Sequence, residues 1–486
     1  LQTNPARITK LYKKTVKSIN KNIFDKLYKQ ENTSDSMHQK YVVLIATTIS
    51  SFLTPFMASA VNVAVPMIEK EFALDAISLA WISTAFLLST AMFLIPMGKL
   101  GDIGGRRRLF IIGVSVFAVS AFFCSISLFG LMLIFFRFIQ GIGSAMIAGT
   151  AIAMVTSAFP PQERGKVLGI NTSAVYVGLS SGPFFGGLIT QFLGWRAVFA
   201  LPILLALIPI YLASRVREEK VEVKDSFDFK GAILFSLALF LLIYGFSNLP
   251  NPLGFVLVFF GVAMLTLFVF VETKTAQPML NVGLFRRNVV FAMSNLAALL
   301  NYSATFAVAF LLSLYLQIVK GLSPQDAGII LLAQPVVMAI LSPISGWLSD
   351  RVEPRIVASL GMAITALSLF LFSSLDFETP IAIVIVYLLL IGFGFGLFSS
   401  PNTNAVMSSV EKKFYGIASA TLATMRVVGQ ALSMGIVTLI FAITIGSAMV
   451  SESIPEFMGS MKVAFVISAV LCTFGVFASL ARGRIH

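Results

Sequence analysis

The sequence predicts an all-α polytopic membrane protein: fourteen transmembrane helices, in two parallel six-helix bundles with two helices inserted between them and both termini cytoplasmic. Three observations predict it. Of the 486 residues, 57% are apolar and only 12% charged. At about 20 residues per span the apolar stock suffices for about fourteen crossings. The apolar residues come in long runs without strand-like alternation, and lipid admits only helices or closed barrels. Finally, with the N-terminus inside, 29 of the 35 Lys and Arg fall on the inner side, as topology signals require. A soluble multidomain enzyme needs polar surface that this chain lacks, and is excluded. Cys124 and Cys472 both lie inside apolar runs, so no disulfide framework is implied. His38 and His486 lie outside the runs, which excludes membrane-embedded imidazole chemistry.

The elements follow in order. Residues 1–40 form a basic N-terminal segment, in which Ile8, Leu11, Val16, Ile19, Ile23 and Leu27 recur at helical spacing between lysines. This suits an amphipathic helix on an anionic leaflet. A solvated tail, or a stretch foreign to the native protein, are the other readings. Residues 41–213 hold six runs: 41–65, 77–97, 109–129, 131–158, 168–190 and 196–213. Residues 214–288 hold an inner loop and the inserted runs 231–249 and 253–271. Residues 289–486 hold six more: 289–317, 327–346, 356–373, 380–400, 416–445 and 462–481. The outer turns carry acids such as Glu69, Glu71, Asp75, Asp376, Glu378, Glu452 and Glu456.

An internal repeat divides the chain. GKLGDIGGRRR (98–108) follows the second run and GWLSDRVEPR (346–355) follows the tenth. Each has Gly, an aliphatic two residues later, then Asp and basic residues, at the same turn of a six-span block. Gly98 and Gly105 suit a tight turn, Asp102 can cap a helix, and Arg106 and Arg107 can pair with it or with helix ends. Asp350 and Arg351 are their counterparts. In the fourth run, LIFFRFIQGIGSA places Arg137 and Gln140 on one helical face. A charge at that depth faces a partner or a wet cavity, unless it snorkels. In the fifth run, GLSSGPFFGG places Gly178, Gly182 and Gly186 at every fourth position, with Pro183 and Gly187 beside them. This stripe allows close helix approach, and Pro183 can bend the helix. MRVVGQALSMG, in the thirteenth run, brings a second embedded arginine, Arg426.

Together these strings resemble the major facilitator superfamily, in its fourteen-span drug:proton antiporter group. The resemblance implies alternating access, a loop motif at 98–108 that latches the two halves, an antiporter motif at 178–187, and export of hydrophobic drug-like compounds across the cell membrane. It implies a small-molecule substrate and a proton as partners, a bilayer, and a monomer. Export of an organic anion or other metabolite, or a non-transporting sensor of the same fold, are the alternatives. The group carries an Asp in span 1 where this chain has Met57, within FMASAVNVAVP (56–66). None of the 22 acids falls near mid-membrane. With two embedded arginines and no embedded acid, neutral or anionic compounds fit better than strongly cationic dyes. The candidate cavity surface is polar and uncharged: Ser59, Asn62, Asn295, Asn301, Tyr302, Gln334 and Asn402. No metal, cofactor, nucleotide or nucleic acid is expected. No G-x-x-x-x-G-K-[ST] string occurs, and the basic charge is spread over all the inner turns.

Overall fold

The computed structural model describes residues 5–160, 163–216, 227–275, 278–280, 282–349, 351–411 and 415–483, with side chains from residue 39 onward. Its first six helices are α1 (Pro5–Phe72), α2 (Ala76–Gly104), α3 (Arg106–Ser125), α4 (Gly130–Ala158), α5 (Arg164–Leu193) and α6 (Trp195–Arg215). Then come α7 (Phe229–Asn248), α8 (Pro252–Lys274) and the short α9 (Val282–Arg287). The rest comprises α10 (Val289–Thr305), α11 (Ala307–Leu314), α12 (Pro324–Leu331), α13 (Ala333–Ser349), α14 (Pro354–Phe372), α15 (Ile381–Ser408), α16 (Tyr415–Thr444) and α17 (Ile454–Ala481). No strand occurs among the described residues.

Thirteen of the described segments are long and apolar enough to cross a membrane. The fifth expected run lies in α5, which is 30 residues long but falls short on apolarity because of its Gly, Ser and Thr. Two expected runs are broken. The ninth is α10 and α11 followed by a π turn at Tyr315–Val319, and the tenth is α12 and α13. At the first break the Ala307 N–H turns to Ser433 Oγ at 3.1 Å, since a freed backbone donor in lipid needs a new partner. Helix starts follow local chemistry: Asp75, Asn288 and Ser323 cap α2, α10 and α12 through their side chains. Gly105, with φ of 103°, makes the turn between α2 and α3, a backbone region that favours glycine.

The helix pairs that pack most closely repeat along the chain. In the first six they are α1 with α5 and α6, α4 with α2 and α3, and α3 with α6. In the last group they are α10 with α16 and α17, α15 with α13 and α14, and α14 with α17. The position-for-position match is what two copies of one packing scheme give. The two groups meet through α2 against α16 and through α5 against α12 and α13. Of the inserted pair, α7 touches α2 and α16, while α8 packs chiefly on α7.

Alternate turns gather at opposite ends of the bundle. At one end, Arg107 donates to Ala213 O (2.8 Å) and Ser214 O (2.6 Å) at the close of α6, and Lys40 pairs with Glu163 at 3.2 Å. We call this the basic end. At the acidic end, Arg196 pairs with Glu71 at 2.6 Å and donates to Ser127 O at 3.1 Å. There the two groups are joined. Ala76 N donates to Ala448 O (2.9 Å), Ser451 N to Glu69 Oε1 (2.9 Å), and Gln317 Nε2 to Val63 O (3.0 Å). Gly187 and Gly328 bring α5 and α12 together so tightly that a side chain at Gly328 would stand 2.5 Å from Pro183 O.

Gly328→Ala should therefore lower the thermal midpoint, through overpacking of about 1–3 kcal/mol. Gly169→Ala, where an added carbon meets nothing within 4 Å, should leave the midpoint unchanged or raise it, through a helix-propensity gain of up to roughly 0.5–1 kcal/mol. A differential-scanning measurement on both variants checks the contrast; equal shifts would remove the packing argument.

Candidate functional site

The two groups of helices enclose a cavity of about 120 Å³, room for several waters. Its walls come from both sides: Ser51, Thr90 and Asn171 from the first six helices, and Tyr302, Asn402 and Arg426 from the last group. A second chamber, about 90 Å³, lies nearer the acidic end, with Ser59, Asn62, Phe306, Gln334, Pro335 and Phe395 among its lining. Tyr176, Leu179, Tyr302 and Gln430 line both. The hydroxyls of Tyr176 on α5 and Tyr302 on α10 are hydrogen-bonded at 3.1 Å. This bond crosses between the halves and partitions the two chambers. Both helix breaks border the deeper chamber, where Thr305 and Phe306 flank the first and Leu331 and Gln334 the second. Discontinuous helices at a midplane site expose backbone only where it lines a cavity.

The polar lining is partly committed to structure. Ser59 Oγ donates to Leu179 O at 2.8 Å, joining α1 to α5 where Gly182 leaves room for it. Asn62 Oδ1 accepts from Ser83 Oγ at 2.9 Å, so its amide group is the part left for a ligand. Ser51 bonds Asn171. Asn402 is held between Ser294 O (3.1 Å) and Arg482 Nη1 (3.2 Å). Arg426 makes no hydrogen bond or ion pair among the described residues and contributes a positive charge to the wall beside Tyr302. Among the described residues, no Asp or Glu lines either chamber.

Other sequence candidates stand elsewhere. Arg137 is fully buried and lines neither chamber. Its Nε donates to Ile82 O at 3.0 Å, its Nη1 to Gln140 Oε1 at 2.7 Å, and its guanidinium lies 4.3 Å from the Phe86 ring centroid. Phe86 itself lines the first chamber, so Arg137 sits behind the wall rather than in it. Arg137 Nη2 and Gln140 Nε2 have no partner. Asn295 and Asn301 are buried in α10 and line neither chamber, and neither Oδ1 nor Nδ2 of Asn301 finds a partner among the described residues. Met57 is likewise fully buried and lines neither chamber. Gly178, Gly182 and Gly186 lie against Phe52, Ser59 and Ala60 of α1, while Gly187 lies against Pro324 and Gly328. Pro183 lines the deeper chamber.

In the 98–108 turn, Asp102 Oδ1 accepts from Arg106 Nε at 2.7 Å, and Arg106 Nη1 donates to Ala153 O at 3.3 Å. Gly98 lies against Gly149 of α4. The bonds described for Asp102, Arg106 and Arg107 thus join α2, α3, α4 and α6. Arg351 lies on the Trp347 ring, 4.0 Å from its centroid; Asp350 lies outside the described residues. The sequence reasoning missed Tyr176 and Gln430. For Gln430 a signal existed, since it stands one helical turn from Arg426.

Arg137 has no carboxylate partner among the described residues, so its burial is costly. Arg137→Met should leave stability unchanged or raise it by up to about 4 kcal/mol. A fall in the thermal midpoint instead would make the arginine a structural pin.

Comparison with known proteins identifies the architecture. The Major Facilitator Superfamily profile is matched over residues 47–434 and again over 294–484, an overlap that suits a repeated fold. The riboflavin transporter RibZ of Clostridioides difficile (strain 630) is 30% identical over 411 residues, 84% of this chain and 89% of RibZ. The multidrug resistance protein Stp of Mycobacterium tuberculosis (strain ATCC 25618 / H37Rv) is 30% identical over 411 residues, 82% of this chain and 76% of Stp. Among solved structures, a bacterial homolog of the human lysosomal transporter Spinster, in an inward-facing and unoccupied conformation, superposes with a TM-score of 0.63 at 17% identity. It covers 91% of this chain and 97% of its own. A multi-pass plasma-membrane protein with this profile, this repeat and a cavity between its halves is a transporter and not an enzyme: the chain belongs to the Major Facilitator Superfamily.

Proposed function

We propose that the chain exports amphipathic, drug-like compounds with a neutral or anionic head group, by alternating access and in exchange for a proton. One observation carries the reading: a cavity walled by both halves, closed toward the acidic end by contacts between α1–α2 and the 448–451 turn and between α5 and α12. With the basic end in the cytoplasm, this is the inward-open state of an exporter with two six-span halves, an inserted pair and α5 as the fourteenth span. The 98–108 turn then acts as a latch in the opposite state, when the basic end closes. The relatives' names support the substrate class: one transports riboflavin and one confers multidrug resistance.

The wall chemistry favours the head group. Arg426 is charged and unpaired, no acid lines the chambers among the described residues, and aliphatic, aromatic, hydroxyl and amide side chains supply the remainder. An apolar pocket with a few polar groups suits a flat, hydrophobic ligand, and an unpaired cation suits an anionic substituent. The same wall repels a permanent cation.

Flux in proteoliposomes under a pH gradient tests this with a cationic dye, a neutral hydrophobic drug and an organic anion. The neutral drug and the anion should move and the dye should not. Gradient-dependent transport of the dye alone would overturn the reading. Arg426→Leu should reduce anion transport by about ten-fold or more, equivalent to about 1.4 kcal/mol, and spare the neutral drug; equal loss of both would assign Arg426 to gating. Tyr302→Phe removes a bond between the halves of roughly 0.5–1.5 kcal/mol, so substrate-free opening should speed up by at most about ten-fold, read by accessibility of a cysteine placed in the deeper chamber.

A further inference from the structure

The inserted helices carry two carboxyl groups that the transport cavity does not touch. Asp228 caps α7: its Oδ1 accepts from Gly231 N–H at 2.9 Å. Glu272 lies in the last turn of α8, 2% exposed, and its Oε2 accepts from Leu280 N–H at 3.1 Å. One oxygen of each remains. Asp228 Oδ2 and Glu272 Oε1 are both buried, and neither has a donor among the described residues. The two carboxyl groups lie side by side against Gly231 and interact with each other. Both free oxygens also stand 2.5 Å from the point where a first side-chain carbon on Gly231 would lie. Only glycine at that position lets the pair meet.

Two carboxylates cannot share such a place as anions, because their repulsion is little screened when buried. One proton between them replaces the repulsion with a strong O–H···O⁻ hydrogen bond. Other charges on the neighbouring elements are engaged elsewhere or turned outward. Lys230 on α7, Lys274 on α8, and Arg286 and Arg287 on α9 are exposed. Lys274 Nζ lies 4.1 Å from the Phe270 ring centroid. On α2, Asp102 is paired with Arg106 and Lys99 has its own interaction. On α16, Arg426 faces the transport cavity.

We propose that Asp228 and Glu272 form a proton site in the inserted helices, holding one proton between Oδ2 and Oε1 and releasing it to the solvent at the basic end. The position gives release a mechanical consequence. Glu272 holds the main chain at Leu280, which leads into α9 and α10. Meanwhile α7 is tied to α2 by Ser236 Oγ donating to Met92 O (2.8 Å) and by Trp81 Nε1 donating to Ser247 Oγ (3.0 Å). Loss of the proton drives the carboxylates apart and loosens α8 and the Leu280 segment from α7, which packs between α2 and α16.

The test uses the purified full chain in detergent, without substrate, so its outcome is independent of the export reading. Infrared difference spectra between about pH 5 and about pH 9 span carboxyl titration. They should show a protonated-carboxyl band lost at high pH, absent from Glu272→Gln and from Asp228→Asn, and reduced in Gly231→Ala. The wild-type thermal midpoint should fall as pH rises, because deprotonation leaves two facing anions in the folded state. Glu272→Gln, whose amide donates to Asp228 without titrating, should flatten that response. A band unchanged in all three variants overturns the proposal. So does a midpoint that responds to sodium or potassium in place of choline and not to pH, because a metal cation would then occupy the gap. If Glu272→Gln fails to fold, Gly231→Ala, which keeps both acids, gives the decisive spectrum.

Discussion

Close backbone contact between helices is the constraint on which this structure rests. In lipid, apolar side chains gain little by turning from tails toward each other, so helices associate by fitting closely and by hydrogen bonding. The clearest case is α5. Gly178, Gly182 and Gly186 seat it on α1, and Gly187 seats it on α12 of the other half. One helix therefore binds its own bundle along one face and closes the acidic end along another. The small polar residues that make this possible also make α5 less apolar than its neighbours. The property that weakens its span signal is the one that gives it its place between the halves.

The second constraint is electrostatic. Arg137 and Arg482 are fully buried, yet no carboxylate neutralises them among the described residues. Arg137 leans on a carbonyl, an amide and an aromatic face. Arg482 leans on Ser479, Ser294 and Asn402. Neutral acceptors arranged in this way hold a cation but leave the interior positively biased. The cavity inherits that bias through Arg426. Buried carboxyl groups lie instead at the periphery: Glu69 in the acidic-end closure, Glu272 in the inserted pair. Charge is thus segregated, with cations in the bundles and acids at the joins between segments.

Much of this was legible in the sequence. The runs, the repeat at 98–108 and 346–355, and the glycine stripe follow from periodicity and spacing, and those are local properties. Helix-face arithmetic also put Arg137 beside Gln140, and the two are bonded. It failed on which way that face turns, because a helical face toward α2 and one toward a cavity have the same pattern. The breaks at Phe306 and Leu332 left little trace: no proline marks the first, and Pro335 follows the second by three residues. Arg482 follows the last apolar run and reads as a loop cation, but it folds back under α10 and α15. Pairs such as Tyr176 with Tyr302, or Asp228 with Glu272, join distant parts of the chain and exist only after packing.

That distinction bears on the missing span-1 acid. Met57 occupies the position where the family group that the sequence resembles carries Asp, but in this chain the position is buried in the core and lines neither chamber. A carboxyl group there would be buried in the hydrophobic core. A proton exchanged during transport has to be held where solvent can reach it in at least one state. In this fold that requirement directs attention from mid-span toward the ends, where buried acids already touch segments that join the halves. A chain can therefore lose the embedded acid and keep a proton in its cycle, provided that binding at an end changes how the halves are tied together.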